Sequence, residues 1–246
     1  MKLRTLLSKA VLPALLVITA GTTNAAVVAD LAADFVAANG AVYTGSVSVP
    51  ADYSYLRSTA AFGGTENALT ANVVVGNNQN RGFGSTGFNN IPGLLGNVVA
   101  GRGYFIFDAY KGAVVGTDLI VHPGGNVPFA SGNPFVLVRY TLNAGDLSNG
   151  TVGNVSGNFR TDGGPTDVSV YQNGTLLYSN SGSGVRPFNV PFTGTVGDQI
   201  TFVTGSGASF ASDETSLAGI ITLVPEPTTA SLGLIGALAL LRRRRA

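Results

Sequence analysis

The chain has 246 residues, of which only 11% are charged; it has 34 glycines, one histidine, and no cysteine or tryptophan. Without cysteine a disulfide-stapled scaffold is excluded, so a core of ordinary size must hold the body together, and zinc or another soft metal would find too few ligands. The formal net charge of +1 hides a split: residues 26–225 carry seven Arg or Lys against twelve Asp or Glu, about −5, and an acidic body without a basic patch disfavours nucleic acid.

At the N-terminus, Lys2, Arg4 and Lys9 precede an apolar run, Val11–Ala20, and then Thr23-Asn24-Ala25. A positive start, a short apolar segment and small residues at the cut positions form a secretory signal peptide. Cleavage is expected between Ala25 and Ala26 by signal peptidase. An uncleaved membrane helix fits less well, because the run is about half a bilayer crossing and holds Pro13.

Helical spacing is visible only over Asp30–Asn39, where Leu31, Phe35 and Ala38 would share a face. Beyond it come short β-like runs bounded by Gly, Asn, Asp and Pro. The expected strands are Val42–Val49, Ala71–Val75, Tyr104–Tyr110, Asp118–His122, Phe135–Leu142 and Thr151–Arg160, with sharper ones at Asp167–Gln172, Thr175–Ser179, Arg186–Phe192, Gln199–Thr204 and Thr215–Leu223. Asn173-Gly174 between two of them predicts a type I′ hairpin turn. Residues 76–96, rich in Asn, Gly and Ser, read as a long loop or an irregular face. No internal repeat stands out, so solenoids and propellers are disfavoured. Many short strands in one unit of this size predict an all-β fold, a single β-sandwich of jelly-roll type.

Chemistry is sparse. His122, in Val121-His122-Pro123-Gly124-Gly125, ends a strand before a turn and has no evident catalytic partner. The body has two glutamates, Glu66 and Glu214, and Asp146, Asp162 and Asp198 sit in turn contexts where carboxylates cap backbone amides. No catalytic residue is assigned. Calcium is the one inorganic partner the oxygen donors suit, with Asp162, Asp167, Asp213 and Glu214 as the candidate ligands, although turn capping accounts for the same residues. Sugar binding would need aromatic faces beside amides and carboxylates. Tyr53 and Tyr55 share a strand face and Tyr104 lies beyond a glycine turn, but aromatics at alternate strand positions usually pack a core.

The last 23 residues read as a handling signal: Val224-Pro225-Glu226-Pro227, the apolar stretch Thr228–Leu241, then Arg242, Arg243, Arg244 and Arg245. The apolar stretch has 14 residues against the roughly 20 of a comfortable span, so it would cross tilted or with snorkelling arginines. The arginines fix that end on the cytoplasmic side. Pro225 and Pro227 keep the segment before it extended. In order and position this tail resembles the PEP-CTERM sorting signal of bacterial secreted proteins. The resemblance implies recognition and cutting near the motif by an exosortase, a transient inner-membrane anchor, and delivery to the cell surface or exopolysaccharide matrix.

A second resemblance covers about Leu137–Leu223. Thr166-Asp167-Val168-Ser169-Val170-Tyr171-Gln172-Asn173-Gly174, Gly197-Asp198-Gln199-Ile200-Thr201-Phe202-Val203 and Asp213-Glu214-Thr215 are similar to β-sandwich modules, akin to carbohydrate-binding domains, that recur in PEP-CTERM proteins. Together these readings divide the chain into a signal peptide (1–25), a β-sandwich (26–223) and a sorting segment (224–246), with a signal helix and a C-terminal hydrophobic helix at the ends. The expected function is a structural or adhesive surface protein, not an enzyme, in weak contact with exopolysaccharide. The alternative is a glycan-active hydrolase or lyase. Ice binding would need Thr or Ala at constant spacing on a flat face, and no such repeat is present.

Overall fold

The structure, a computed structural model, describes residues 25–39, 48–75, 80–84, 93–95, 119–122, 135–205, 207 and 215–225. The expected signal helix, the C-terminal helix, most of Val42–Val49 and all of Tyr104–Tyr110 lie outside these residues. Among the described residues no helix is long and apolar enough to cross a membrane.

In chain order the elements are β1 (Ala26–Asp30), α1 (Leu31–Asn39), β2 (Tyr53–Ser58), β3 (Glu66–Ala68), β4 (Thr70–Val75), β5 (Asn80–Gly84), β6 (Gly93–Leu95), β7 (Leu119–His122) and β8 (Phe135–Thr141). There follow a short helix, α2 (Ala144–Leu147), then β9 (Val152–Gln172), β10 (Thr175–Thr193), β11 (Gln199–Gly205) and β12 (Thr215–Val224). All described pairings are antiparallel. The strands link into one sheet in the order β3-β2-β8-β11-β9-β12-β7-β6-β5-β4. The fold is all-β, a β-sandwich of jelly-roll-like form.

The device that turns one sheet into two facing layers is the β9–β10 hairpin. Its tip is the Asn173-Gly174 turn, with φ of 48° and 82°, the two positive values a type I′ turn requires. Four strands expected as separate pieces here are two long ones. β9 pairs with β12 over Val152–Thr161 and with β11 over Asp167–Gln172. Between these stretches Asp162-Gly163-Gly164-Pro165 forms a bulge, where the β10 register slips between Gly182 and Gly184. Proline and glycine there read as a strand break, yet they bend a continuing strand.

Alternation then fixes the core. Inward rows run Tyr55–Val138–Phe202–Val170 in one layer and Leu217–Phe159 and Ile221–Val155 in the other. Phe188 meets Phe159 at 5.4 Å and Phe202 at 5.9 Å between ring centroids, so the two layers touch directly. Tyr53 and Tyr55 are 8% and 3% exposed, and Tyr53 packs edge-on against Tyr140 at 5.0 Å. They belong to the core and are unavailable as a sugar platform.

Helix α1 covers one opening of the sandwich. Asp30 Oδ1 accepts from the Ala32 and Ala33 amides while Asp34 Oδ2 accepts from the Asp30 amide, which satisfies the first turn. Leu31 and Phe35 are fully buried, each contributing about 1.5–3 kcal/mol of apolar burial. Leu31 rests on Gly219 of β12, where a Cβ would stand 2.5 Å from Leu31 Cδ1, and Phe35 lies 6.1 Å from Tyr55. Ala38 is exposed, contrary to the expected face, and Ala32 is buried instead. The helix turns its first two turns inward and lets its end leave the sheet. Residues 76–96 also differ from the expected loop: β5 and β6 lie there and continue the sheet from β7 to β4.

Candidate functional site

The outward face of the β2-β8-β11-β9 layer carries a groove. By register, Ser54, Arg139, Thr201 and Tyr171 form one row across the four strands, and Leu56, Leu137, Val203 and Ser169 form the next. Leu137 and Val203 are each 1% exposed although they point away from the main core, so this face has an apolar floor of its own. Leu137 and Thr201 line a cavity of about 290 Å³.

One wall is aromatic. The segment after β2 folds back on itself, with the Thr59 amide donating to the Thr65 carbonyl and the Thr65 amide donating to Thr59 Oγ1. This closed loop presents Phe62 at its tip, with Gly63 in the left-handed region (φ 73°). Phe62 stacks on Tyr171 at 5.7 Å with a 22° interplanar angle. Its ring edge fills the space above Gly174, where a Cβ would fall 1.9 Å from Phe62 Cζ. Gly174 is thus required twice, by the turn and by the ring. Phe62 remains 57% exposed.

The opposite wall is ionic. Arg139 Nη1 and Nη2 donate to Glu66 Oε2 and Oε1 at 2.9 and 2.7 Å, a bidentate pair, and Arg139 Nε donates to Thr201 Oγ1 at 3.1 Å. The third side is the hairpin tip. There Asp198 accepts from Asn173 Nδ2 (2.7 Å), the Thr195 amide (2.9 Å) and hydroxyl (3.0 Å), and Gln172 Nε2 (3.1 Å). Burial alone would raise the Asp198 pKa, but these hydrogen bonds from Asn173, Thr195 and Gln172 outweigh it and hold the carboxyl below its ordinary value. Asn173 Oδ1 in turn accepts the Gln199 amide N–H at 2.8 Å, which locks the tip to β11.

Chemically, the groove offers an aromatic face, an apolar floor, a neutralised ion pair and several hydroxyl and amide groups. Among the described residues that line the cavity there is one carboxylate, Glu66, already bound to Arg139.

The candidates read from sequence lie elsewhere. Ala26 opens β1 and pairs with Leu223, near the end of β12; Ala25 directly precedes it. Val224 closes β12, and its carbonyl packs so closely on Gly150 (φ 122°) that a Cβ there would stand 1.9 Å away. Glu226, Pro227 and Arg242–Arg245 lie outside the described residues, as do Asp213 and Glu214. Asp162 is in the β9 bulge, its side chain outside the description, and Asp167 Oδ1 accepts from Ser181 Oγ at 2.6 Å. Among the described residues no group of three His, Cys, Asp or Glu could hold a metal. His122 ends β7.

Sequence reasoning missed the groove because its parts are far apart: Glu66 and Arg139 are separated by 73 positions. The available signal was Phe135-Val136-Leu137-Val138-Arg139-Tyr140-Thr141, where an arginine on the face of Leu137 follows four apolar residues.

No known protein family matches the chain, and no curated protein matches it in sequence. Solved structures with some likeness include the CBM51 domain of Clostridium perfringens GH95 in complex with methyl-galactose, 10% identical with a TM-score of 0.31 over 72% of this chain and 92% of that one. The CBM22-1 xylan-binding domain from Paenibacillus barcinonensis is 13% identical, with a TM-score of 0.30 over 47% and 78% of the two chains. A carbohydrate-binding module CBM36 in complex with calcium and xylotriose is 14% identical, with a TM-score of 0.25 over 42% and 76%. Likenesses of this size leave function to be read from this chain's own residues.

Proposed function

We propose that the protein is an exported, non-enzymatic β-sandwich of the cell surface or exopolysaccharide matrix. It is released at Ala25–Ala26 by signal peptidase, sorted through Val224-Pro225-Glu226-Pro227 by an exosortase, and acts as a structural or adhesive component in contact with polysaccharide. In this reading residues 1–25 and 224–246 are addresses and 26–223 is the working body.

The pairing of β1 with β12 supports it most. Ala26 and Leu223 are opposite one another, so the two cut points neighbour each other at one end of a ladder and neither falls inside it. Cuts before Ala26 and beyond Pro225 would leave the described β1–β12 ladder, Ala26–Asp30 against Ile220–Leu223, whole. The groove favours contact over catalysis, since the one carboxylate among its described lining residues is spent on Arg139.

The sorting step is testable in the producing cells. Replacing the motif by P225A, E226Q and P227A should leave export intact but trap the protein in the inner-membrane fraction, with Arg242–Arg245 still attached. Delivery of the triple variant to surface material in the same amount and at the same mass as the parent chain would contradict the assignment.

A further inference from the structure

We propose that the outward groove is a subsite for one neutral hexopyranose unit of a polysaccharide. Its C–H face lies against the Phe62–Tyr171 pair, and its hydroxyls reach Tyr171 Oη, Thr201 Oγ1 and the Gln199 side-chain amide. The inference rests on the reading of a polysaccharide-contacting surface protein and adds the place and the class of sugar.

Size is the first argument. A cavity of about 290 Å³ is at the lower end for small-molecule sites, room for one ring rather than an oligosaccharide. The second is amphiphilicity. A pyranose has an apolar ring face and a polar rim, and the groove has the matching pair: Phe62 and Tyr171 with Leu137 beneath, and hydroxyl and amide groups beside them. Single exposed apolar side chains are ordinary on protein surfaces. Phe62 differs in being held by a closed loop, stacked on a second ring, and seated on a glycine that leaves space for nothing else. That is pre-organisation, which lowers the entropy cost of binding.

Unspent hydrogen-bonding capacity is the third argument. Asn173 and Arg139 are committed to Asp198, the Gln199 backbone, Glu66 and Thr201. Thr201 Oγ1 accepts from Arg139 and keeps its own hydrogen to donate. Among the described residues, Tyr171 Oη and the Gln199 side-chain amide have no hydrogen-bond partner.

Charge selects the class of sugar. A uronate or sulfated unit would need a free cation, and the Arg139 guanidinium, the one cation among the described lining residues, is neutralised bidentately by Glu66. With the charges cancelled, hydroxyls are the groups best served, and affinity should depend little on salt. A lone subsite binds weakly, so useful adhesion comes from many copies on a repeating polymer.

Affinity electrophoresis of the full chain in mild detergent tests this, with gels containing glucan, galactan, mannan or alginate. Retardation is expected in at least one neutral gel and not in alginate, unchanged by added salt. Phe62→Ala and Tyr171→Ala should each weaken it about tenfold or more, and Tyr171→Phe and Gln199→Ala several-fold. Val185→Ser, 63% exposed on the other half of the hairpin, should have no effect. Far-UV circular dichroism would show that each variant is folded; a folded Phe62→Ala protein retarded like the parent would overturn the site and leave polysaccharide contact standing. Retardation by alginate alone would overturn the class of sugar. Retardation in no gel would overturn the polysaccharide reading itself.

Discussion

Arg186→Ala should destabilise the body by about 4 kcal/mol, because it opens a cavity and removes a donor from the Thr166 carbonyl at the bulge of β9. Alternation puts Arg186 on the same inward face as Phe188 and Phe192, and it is 4% exposed. Its Nη1 donates to the Thr166 carbonyl at 2.7 Å, and Nη2 donates to Thr161 Oγ1 at 2.6 Å and Thr166 Oγ1 at 2.7 Å. Thr161 ends the stretch of β9 paired with β12, and Thr166 directly precedes the stretch paired with β11. The guanidinium therefore clamps the two sides of the bulge. Burial lowers its pKa from the ordinary value, with Tyr178 and then Asp167 opposing, so the charge is held at a cost.

Two variants separate the contributions. The three hydroxyls of Thr161, Thr166 and Thr215 lie 3.0–3.3 Å apart and can satisfy one another without the arginine. Arg186→Met restores most of the volume and removes a buried charge, so it should lose only the roughly 1–3 kcal/mol of the unpaired Thr166 carbonyl. In calorimetry the alanine variant should melt about 8–16 °C below the parent, given 2–4 °C per kcal/mol for a body of this size. A shift under about 2 °C would show that the clamp contributes nothing of consequence.

Raising the pH above about 10 should unfold the protein cooperatively, with three tyrosines ionising only as the structure is lost. Burial is the main cause that lifts the phenols of Tyr53, Tyr55 and Tyr140 above their ordinary 10.0. Hydrogen bonds to Asp34 (2.6 Å, from Tyr53) and Asp146 (2.8 Å, from Tyr140) add to it. A pKa raised in the folded state means that the stabilisation is full below the unfolded value and is lost as pH rises past it. Each phenol removes about 1.4 kcal/mol per pH unit above 10, so three remove about 4 kcal/mol per unit. Against a typical stability of about 5–15 kcal/mol, unfolding falls within about one to four units above pH 10. Absorbance at 295 nm and far-UV circular dichroism should change together for these three of the eight tyrosines. A smooth titration near pH 10 with intact dichroism would refute their burial. Tyr53→Phe and Tyr140→Phe should each flatten the dependence.

Much of the fold was legible in the sequence because it rests on local rules. Apolar runs bounded by turn residues marked β8, β11 and β12, and Asn173-Gly174 named the hairpin and its turn type. The spacing of Leu31 and Phe35 marked α1. The failures have physical causes. Gly163-Gly164-Pro165 bends β9 without ending it, because Arg186, distant in sequence, holds both sides of the bulge. β5 and β6 lack alternation, being short glycine- and asparagine-rich strands, so nothing local distinguished them from a loop. For the groove, Phe62 and Gly174 meet only after the β9–β10 hairpin returns to β2's side of the sheet, and Glu66 finds Arg139 across 73 positions of chain. For the tails, the proposed meaning rests on residue order alone.

The most direct measurement is the intact mass of the protein recovered from the surface of the producing cells. The account predicts a chain that starts at Ala26 and ends near Pro225–Pro227, its β1 and β12 ladder whole. Surface protein that still carries Met1–Ala25, or Arg242–Arg245, would contradict it.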